Sequence, residues 1–150
     1  MLLCAIHSKY IHSALAPWCL AAGIRDYAKE PFAYEVVEGT VNQTDEALLS
    51  ALLRPEADVF ALSCYIWNIS CIRRLLPVLK QERPGCKVIL GGPEVSFCPE
   101  QVLNECPQVD YILAGEGERT LSGPVGRSVC GDRFPSPFRA LPFGGKTGYR

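Results

Sequence analysis

Residues 58–68, DVFALSCYIWN, decide the fold of this 150-residue chain. Val59, Phe60, Ala61 and Leu62 form an unbroken apolar run of strand length. A strand that is apolar at every position has both faces covered, as in a parallel α/β sheet. After Leu62 the chemistry changes at once. Ser63, Cys64, Tyr65, Trp67 and Asn68 set a hydroxyl, a thiol, two large aromatics and an amide at the strand's exit. Ligands of open α/β sheets bind in the crevice outside the carboxyl ends of the strands. The same eleven residues therefore predict an architecture and the edge of it that carries function.

The flanking sequence repeats the unit. Leu2–Ile6 reads as a first strand, followed by a polar loop of His7, Ser8, Lys9, Tyr10, Ile11, His12 and Ser13. A helix starts between Ser13 and Pro17, because proline is tolerated only in the first turn, and runs to about Lys29. Leu20, Ile24 and Tyr27 give it one apolar face. Tyr34–Val37 is a short strand nearer an edge. Thr44 or Asp45 caps a second helix with a Leu48, Leu49, Leu52, Leu53 stripe, ended by Pro55. Asn68 or Ser70 opens a third, carrying Ile69, Ile72, Leu76 and Leu79; Pro77 inside that pattern is expected to kink or shorten it. Lys87–Leu90 is a fourth strand and Tyr111–Ala114 a fifth, separated by a short helix over Pro99–Glu105. A last helix begins near Arg119. Strand and helix alternate throughout, which predicts βαβ crossovers. The expected fold is a flavodoxin-like (Rossmann-like) five-stranded parallel sheet, order 2-1-3-4-5, with helices on both faces.

The bulk properties fit one domain. The chain is 48% hydrophobic and 21% charged, with net charge −1. That balance gives no electrostatic case for a nucleic-acid partner or an anionic membrane. No apolar run approaches the ~18 residues of a membrane span. The N-terminal MLLCAIHSKY lacks the pattern of a secretory signal, so a cytoplasmic location is expected. The eight cysteines are then expected to be reduced, mostly as small buried hydrophobes. There is no C-x2-C pair for a zinc ribbon and no C-x3-C-x2-C for an iron–sulfur cluster.

Residues 122–150 differ from the rest. They hold six glycines, four prolines and five basic residues against one acid, Asp132, for a charge of +4; residues 1–121 carry −5. No period of 2 or 3.6 survives there, and Ser122-Gly123-Pro124 breaks the helix just begun. The domain is expected to be residues 1–121. The Gly/Pro/Arg-rich tail is expected to be either a disordered basic segment or the product of an out-of-frame read, and its composition favours the second.

Four exit loops, 7–13, 63–68, 91–96 and 115–118, should line the carboxyl edge. Ser63 and Asn68 offer hydrogen bonds there, and Tyr10, Tyr65 and Trp67 offer flat apolar walls. Glycines at 91, 92, 115 and 117 let backbone approach a ligand closely. Plainer readings stand beside these. Gly91-Gly92 can be a simple turn, the aromatics can cap the core, and Glu116 with Glu118 can serve a helix N-terminus. His7 and His12 lack a third metal ligand, and Cys64 with His12 has no nucleophile signature. Gly115-x-Gly117-x-x-Thr120 fails the dinucleotide fingerprint, and no phosphate loop occurs. The acidic cluster of a phosphoacceptor site is replaced by His7, Ser8, Ser63 and Cys64.

Taken together, SKYIHSALA, SCYIWNI, LGGPEVS and ILAGEGERT resemble the N-terminal cobalamin (B12)-binding domain of B12-dependent radical SAM proteins, in particular an uncharacterised bacterial subgroup. The resemblance covers residues 1–121. It implies a flavodoxin-like domain with the corrin ring over the carboxyl edge. The family's S-x-L element matches Ser63-Cys64-Tyr65, with tyrosine for leucine; its Gly-Gly element matches Gly91-Gly92; its GEGE element matches Gly115 to Glu118. The implied cofactor-binding residues are Tyr10, His12, Ser63, Tyr65, Trp67, Asn68, Gly91, Gly92, Glu94, Gly115, Glu116 and Gly117, with no catalytic residue and no metal ligand. The D-x-H-x-x-G motif that ligates cobalt elsewhere in the superfamily is absent: Tyr10 and Leu15 stand at its Asp and Gly positions around His12. Base-off binding without a protein ligand therefore stands beside histidine ligation. The resemblance further implies a longer parent, its radical SAM domain holding a 4Fe-4S cluster and S-adenosylmethionine, with methyl transfer among its activities. Two alternatives stay open: a flavodoxin-like docking or substrate-binding module without cobalamin, and a thiol enzyme using Cys64.

Overall fold

A computed structural model describes residues 1–9, 14–28 and 33–121 and, as backbone, 140–141. The expected order is present. Strands β1 (Leu2–His7), β2 (Glu35–Thr40), β3 (Val59–Ser63), β4 (Lys87–Gly91) and β5 (Tyr111–Leu113) lie parallel in the order β2-β1-β3-β4-β5. The two-residue β6 (Ala140–Leu141) extends the sheet beyond β5, also parallel. It falls in the stretch expected to lack structure; two residues are too few to show any periodicity. The other expectations for residues 122–150 lie outside the described residues.

Helices α1 (Leu15–Tyr27), α2 (Asp45–Leu53), α3 (Ile69–Glu82), the one-turn α4 (Pro93–Ser96), α5 (Pro99–Glu105) and the one-turn α6 (Gly117–Thr120) fill the crossovers. Two apolar clusters follow. Alternate residues Leu2, Cys4 and Ile6 of β1, with Phe60 and Leu62 of β3, face α2, α3 and the α4–α5 segment in the larger one. Leu3, Val59, Ala61, Ile89 and Leu113 point the other way, to Ala21 and Ile24 of α1 and to Leu121. The strand that reads as apolar at every position is buried at every position, because it feeds both clusters.

Several boundaries moved. The second strand runs Glu35–Thr40, and the loop assigned to 91–96 contains α4, opened by Pro93 at a position where its missing N–H costs nothing. Tyr27 is exposed and does not belong to the buried stripe of α1. Of the α2 leucines, Leu48 and Leu52 are buried while Leu49 and Leu53 are half-buried. Thr44 is the cap, its Oγ1 accepting from the Ala47 N–H at 3.2 Å. Pro77 does not shorten α3, which continues to Glu82. The ring is on the exposed side, as is Arg73, whose carbonyl loses its partner to the proline and can be solvated there.

The amino edge of the sheet is stitched by charge. The Asp110 carboxylate accepts from Lys80 Nζ (2.7 Å), Lys87 Nζ (3.2 Å) and the Val88 N–H (2.8 Å), and Lys80 also donates to the Cys86 carbonyl. The carboxyl edge has no equivalent network among the described residues.

Candidate functional site

The strand ends place the site. In register, Ala5 of β1 sits beside Ser63 of β3, Ser63 beside Gly91 of β4, and Gly91 beside Leu113 of β5. Residues two apart along a strand share a face, so Ala61, Ser63, Ile89, Gly91 and Leu113 all look toward α1. The absent side chain at Gly91 leaves a gap in that layer. A cleft of about 400 Å³ opens over it. Ala16 and Leu20 of α1 form one wall, Gly115 to Glu118 the opposite wall, and Ser63, Tyr65 and Gly92 the mouth. The volume falls in the range of ligand sites, roughly 300–1,000 Å³.

Three local devices build the mouth. Asn68 is fully buried at the start of α3. Its Nδ2 donates to the carbonyls of Ile6 and Ser63, both at 2.9 Å, and its Oδ1 accepts from the Tyr65 N–H at 2.8 Å. The side chain thus ties the ends of β1 and β3 to the turn that follows β3. Gly92 is the second device. Its φ of 103° belongs to the left-handed region, and a Cβ there would lie 2.5 Å from the Cys64 carbonyl oxygen. Only glycine lets the exit of β4 press against the exit of β3. The third is an aromatic pair: Tyr65 and Trp67 stack with centroids 4.5 Å apart and planes 4° from parallel. Tyr65 lines the cleft, and Trp67 remains 48% exposed beside the exposed Ile66. The pair stands out from the edge and does not cap the core.

The candidate residues therefore separate. Ser63, Tyr65, Gly91, Gly92, Gly115, Glu116 and Gly117 line one cleft. Trp67 extends its aromatic rim. Asn68 is turned inward, with both donor hydrogens held by protein carbonyls, so it shapes the edge and presents no group to a ligand. Glu94 is exposed at the start of α4, outside the lining. Tyr10 and His12 lie outside the described residues. Ala16 and Leu20 were not singled out from the sequence as cleft residues, and Glu118, read in the GEGE element, joins the lining as well. Leu20 reads as core from its helical spacing, and only the widened gap above Gly91 turns it into a cleft wall.

Cys64 is wholly buried, and burial first, then the neighbouring Cys4, pushes its thiol well above the ordinary range. A thiol enzyme built on Cys64 is not what this geometry offers. All seven described cysteines are free. No cluster of three metal-ligating side chains occurs among the described residues. His7, at the end of β1, has its Nε2 3.7 Å from a Glu38 carboxylate oxygen. No described helix is long and apolar enough to cross a membrane.

The site suits a corrinoid on its own chemistry. The lining is mostly apolar side chain and bare glycine backbone, which receives a flat ring system closely. The Ser63 hydroxyl, in a residue 7% exposed, has no hydrogen-bond partner among the described residues and is available to a ligand. Among the described residues the charged side chains of the lining are Glu116 and Glu118, which disfavour a free dianionic phosphate beside them.

Comparison with known proteins agrees. A family model described as the B12 binding domain matches residues 2–125. The chain is 40% identical over 63 residues to the 2-(S-pantetheinyl)-carbapenam-3-carboxylate methyltransferase of Streptantibioticus cattleyicolor, covering 42% of this chain and 9% of that one. The cobalamin-dependent radical SAM methyltransferase TokK of Streptomyces tokunonensis matches with the same figures. The anaerobic magnesium-protoporphyrin IX monomethyl ester cyclase of Cereibacter sphaeroides is 28% identical over 109 residues, 72% of this chain and 18% of the cyclase. This chain thus spans far less than two thirds of the relatives it matches. With its family model matched from the first strand to the end of α6, and a corrinoid-compatible cleft at the edge where its sheet should hold one, the chain belongs to the B12-binding domain family and is a cobalamin-binding module.

Proposed function

We propose that this module, residues 1–121, holds the nucleotide tail of cobalamin in the cleft between α1 and the 115–118 loop, with the corrin over the carboxyl edge of the sheet. The observation that carries this is the gap above Gly91, walled by Leu20 and closed by backbone at Gly117. The tail ends in a flat aromatic base, which matches the apolar walls of Ala61, Ile89 and Leu113. Ser63 donates to the tail at the mouth of the cleft. The Gly92 and Gly115 backbone borders the corrin, and the Tyr65–Trp67 stack gives its ring a flat apolar neighbour. Asn68 holds these parts in register from behind.

The relatives place such a module within longer chains, and we read this one as part of a cytoplasmic radical SAM protein. A separate domain would supply the 4Fe-4S cluster and S-adenosylmethionine, since no C-x3-C-x2-C occurs here. When bound, cobalamin supplies methyl transfer or one-electron chemistry at cobalt. The residues of this chain bind and orient it and screen its tail from water.

The test is retention. The 150-residue chain is incubated with hydroxocobalamin, passed through gel filtration and examined by visible absorption. Stoichiometric corrin absorbance is the expected result, with band positions reporting whether a nitrogen such as that of His12 reaches cobalt. A folded protein that emerges colourless removes the proposal in favour of a docking module.

A further inference from the structure

Behind the lining, α1 packs against α6. Helix α1 carries Gly23 on the side turned to α6. A Cβ placed there would lie 2.5 Å from the Glu118 carbonyl oxygen and 2.8 Å from both its C and Cα. These are backbone atoms, so nothing at this contact can rotate away. One turn earlier on the same helix, Leu20 lies against Gly117, where a Cβ would sit 2.7 Å from Leu20 Cδ2. The two contacts are i and i+3 on α1, one helical face, and they meet two consecutive residues of the opposite wall. Leu20, Gly117 and Glu118 all line the cleft; Gly23 does not. Gly23 is therefore the pivot behind the wall, and Leu20 the wall.

We propose that Gly23 is a specificity-determining positioning residue: its missing side chain sets the α1–α6 spacing so that the cleft grips a corrinoid nucleotide tail. Gly23 touches no ligand and acts through the Glu118 backbone. The inference rests on the tail-in-cleft reading above. Glycine inside a helix is otherwise a poor choice, and alanine is the ordinary replacement. That the position holds the unfavourable residue, where α1 meets the backbone of the opposite wall, is what points to spacing. A side chain here forces α6 outward, carries Gly115 to Glu118 with it, and slackens the wall.

The experiment compares two corrinoids on the 150-residue chain: cobalamin, and cobinamide, which has the same corrin but no nucleotide tail. Affinities are read by absorption or fluorescence quenching. The unaltered chain is expected to prefer cobalamin at least tenfold. Gly23→Ala is expected to lose most of that preference, through weaker cobalamin binding with cobinamide affinity unchanged. Gly117→Ala meets only a movable leucine tip, and should lose a smaller part of it. Equal weakening of both corrinoids by Gly23→Ala means a general structural role and overturns the proposal. So does a Gly23→Ala protein of raised Tm and unaltered preference. Should Gly23→Ala not fold, Gly117→Ala decides: an unchanged preference there overturns the proposal. An unaltered chain that shows no preference at all rejects the tail reading itself, and the inference with it.

Discussion

The two faces of the sheet are built to different standards. Beneath α2, α3 and the α4–α5 segment, every inward residue of α3 (Cys71, Ile72, Leu75, Leu76 and Leu79) is buried. Beneath α1 and α6, the cover is a helix with glycine and alanine at its contacts and a second helix of only four residues. The first face is closed by buried side chains, which gather van der Waals contacts. The second opens into the cleft at the carboxyl end, above Gly91. Stability and ligand space are thus assigned to opposite sides of one sheet, and β3 serves both. Phe60 and Leu62 face the sealed side, while Ala61 and Ser63 face the open one. The alternation of a strand is enough to keep the two tasks apart.

The largest predicted effect is at the side chain that ties β1 and β3 together at their working edge. Asn68→Ala strips partners from the Ile6 and Ser63 carbonyls and from the Tyr65 N–H. Each buried polar group left unpaired costs about 1–3 kcal/mol, so a loss of about 3–5 kcal/mol is expected in urea unfolding. Asn68→Asp keeps the acceptor for Tyr65 but turns a carboxylate on two carbonyl oxygens. It should be as damaging at neutral pH and partly recover at acid pH, where a protonated carboxyl can donate. A loss under 1 kcal/mol for the alanine variant would mean that the edge is held together by something other than this clamp.

A pair of leucines tests the contrast directly. Leu76 is 1% exposed on the sealed face, and Leu76→Ala should cost about 2–5 kcal/mol, since the cavity left behind cannot collapse. Leu20 already borders open space. Leu20→Ala should cost under about 1 kcal/mol, because its far side has little packing to lose, yet it should weaken cobalamin retention where Leu76→Ala does not. Comparable stability losses for the two would show that the thin face is as tightly packed as the other.

Much of this was legible in the sequence, and unevenly so. The parallel sheet followed from one fully apolar strand and the regular alternation around it, because burial on two faces leaves a composition that half-buried strands do not have, and the order 2-1-3-4-5 followed from the count of five visible strands. The glycines at 91, 92, 115 and 117 marked the cleft, since bare backbone at strand exits is visible as residue type. Asn68 was found as a polar residue at the right edge but given the wrong orientation. Nothing local distinguishes an amide that meets a ligand from one that meets the Ile6 carbonyl, 62 residues away. Leu20 and Gly23 escaped for the same reason: their partners, Gly117 and Glu118, are on a helix remote in sequence. Pro77 did not shorten its helix, because the proline rule weighs a lost hydrogen bond without asking whether that carbonyl faces water. Contacts within a turn or a strand are written in the sequence; contacts between the cover of a sheet and the loops beyond it are not.

The smallest predicted effect separates the two edges of the sheet by pH. Burial raises the Asp110 carboxyl, but hydrogen bonds from Lys80, Val88 and Lys87 outweigh it and hold the group below its ordinary value. A carboxyl depressed in the folded state contributes stability that is fully present above its unfolded value, near pH 4, and is lost as pH falls through the folded value. Because Asp110 is partly open to solvent, its share is at most about 1 kcal/mol. Asp110→Asn should therefore lower stability slightly at pH 7 and abolish the part of the acid-dependent loss below pH 4 that belongs to this group, measured by urea unfolding across that range. Lys80 should then release the Cys86 carbonyl and the starts of β4 and β5 together, at the amino edge, while the hydrogen bonds of Asn68, which carry no titrating group, keep the carboxyl edge closed. Hydrogen exchange at pH 3 is the sharper readout: earlier exchange at Val88 than at Tyr65 is expected, and the reverse order would place the weak point of the sheet at its binding edge.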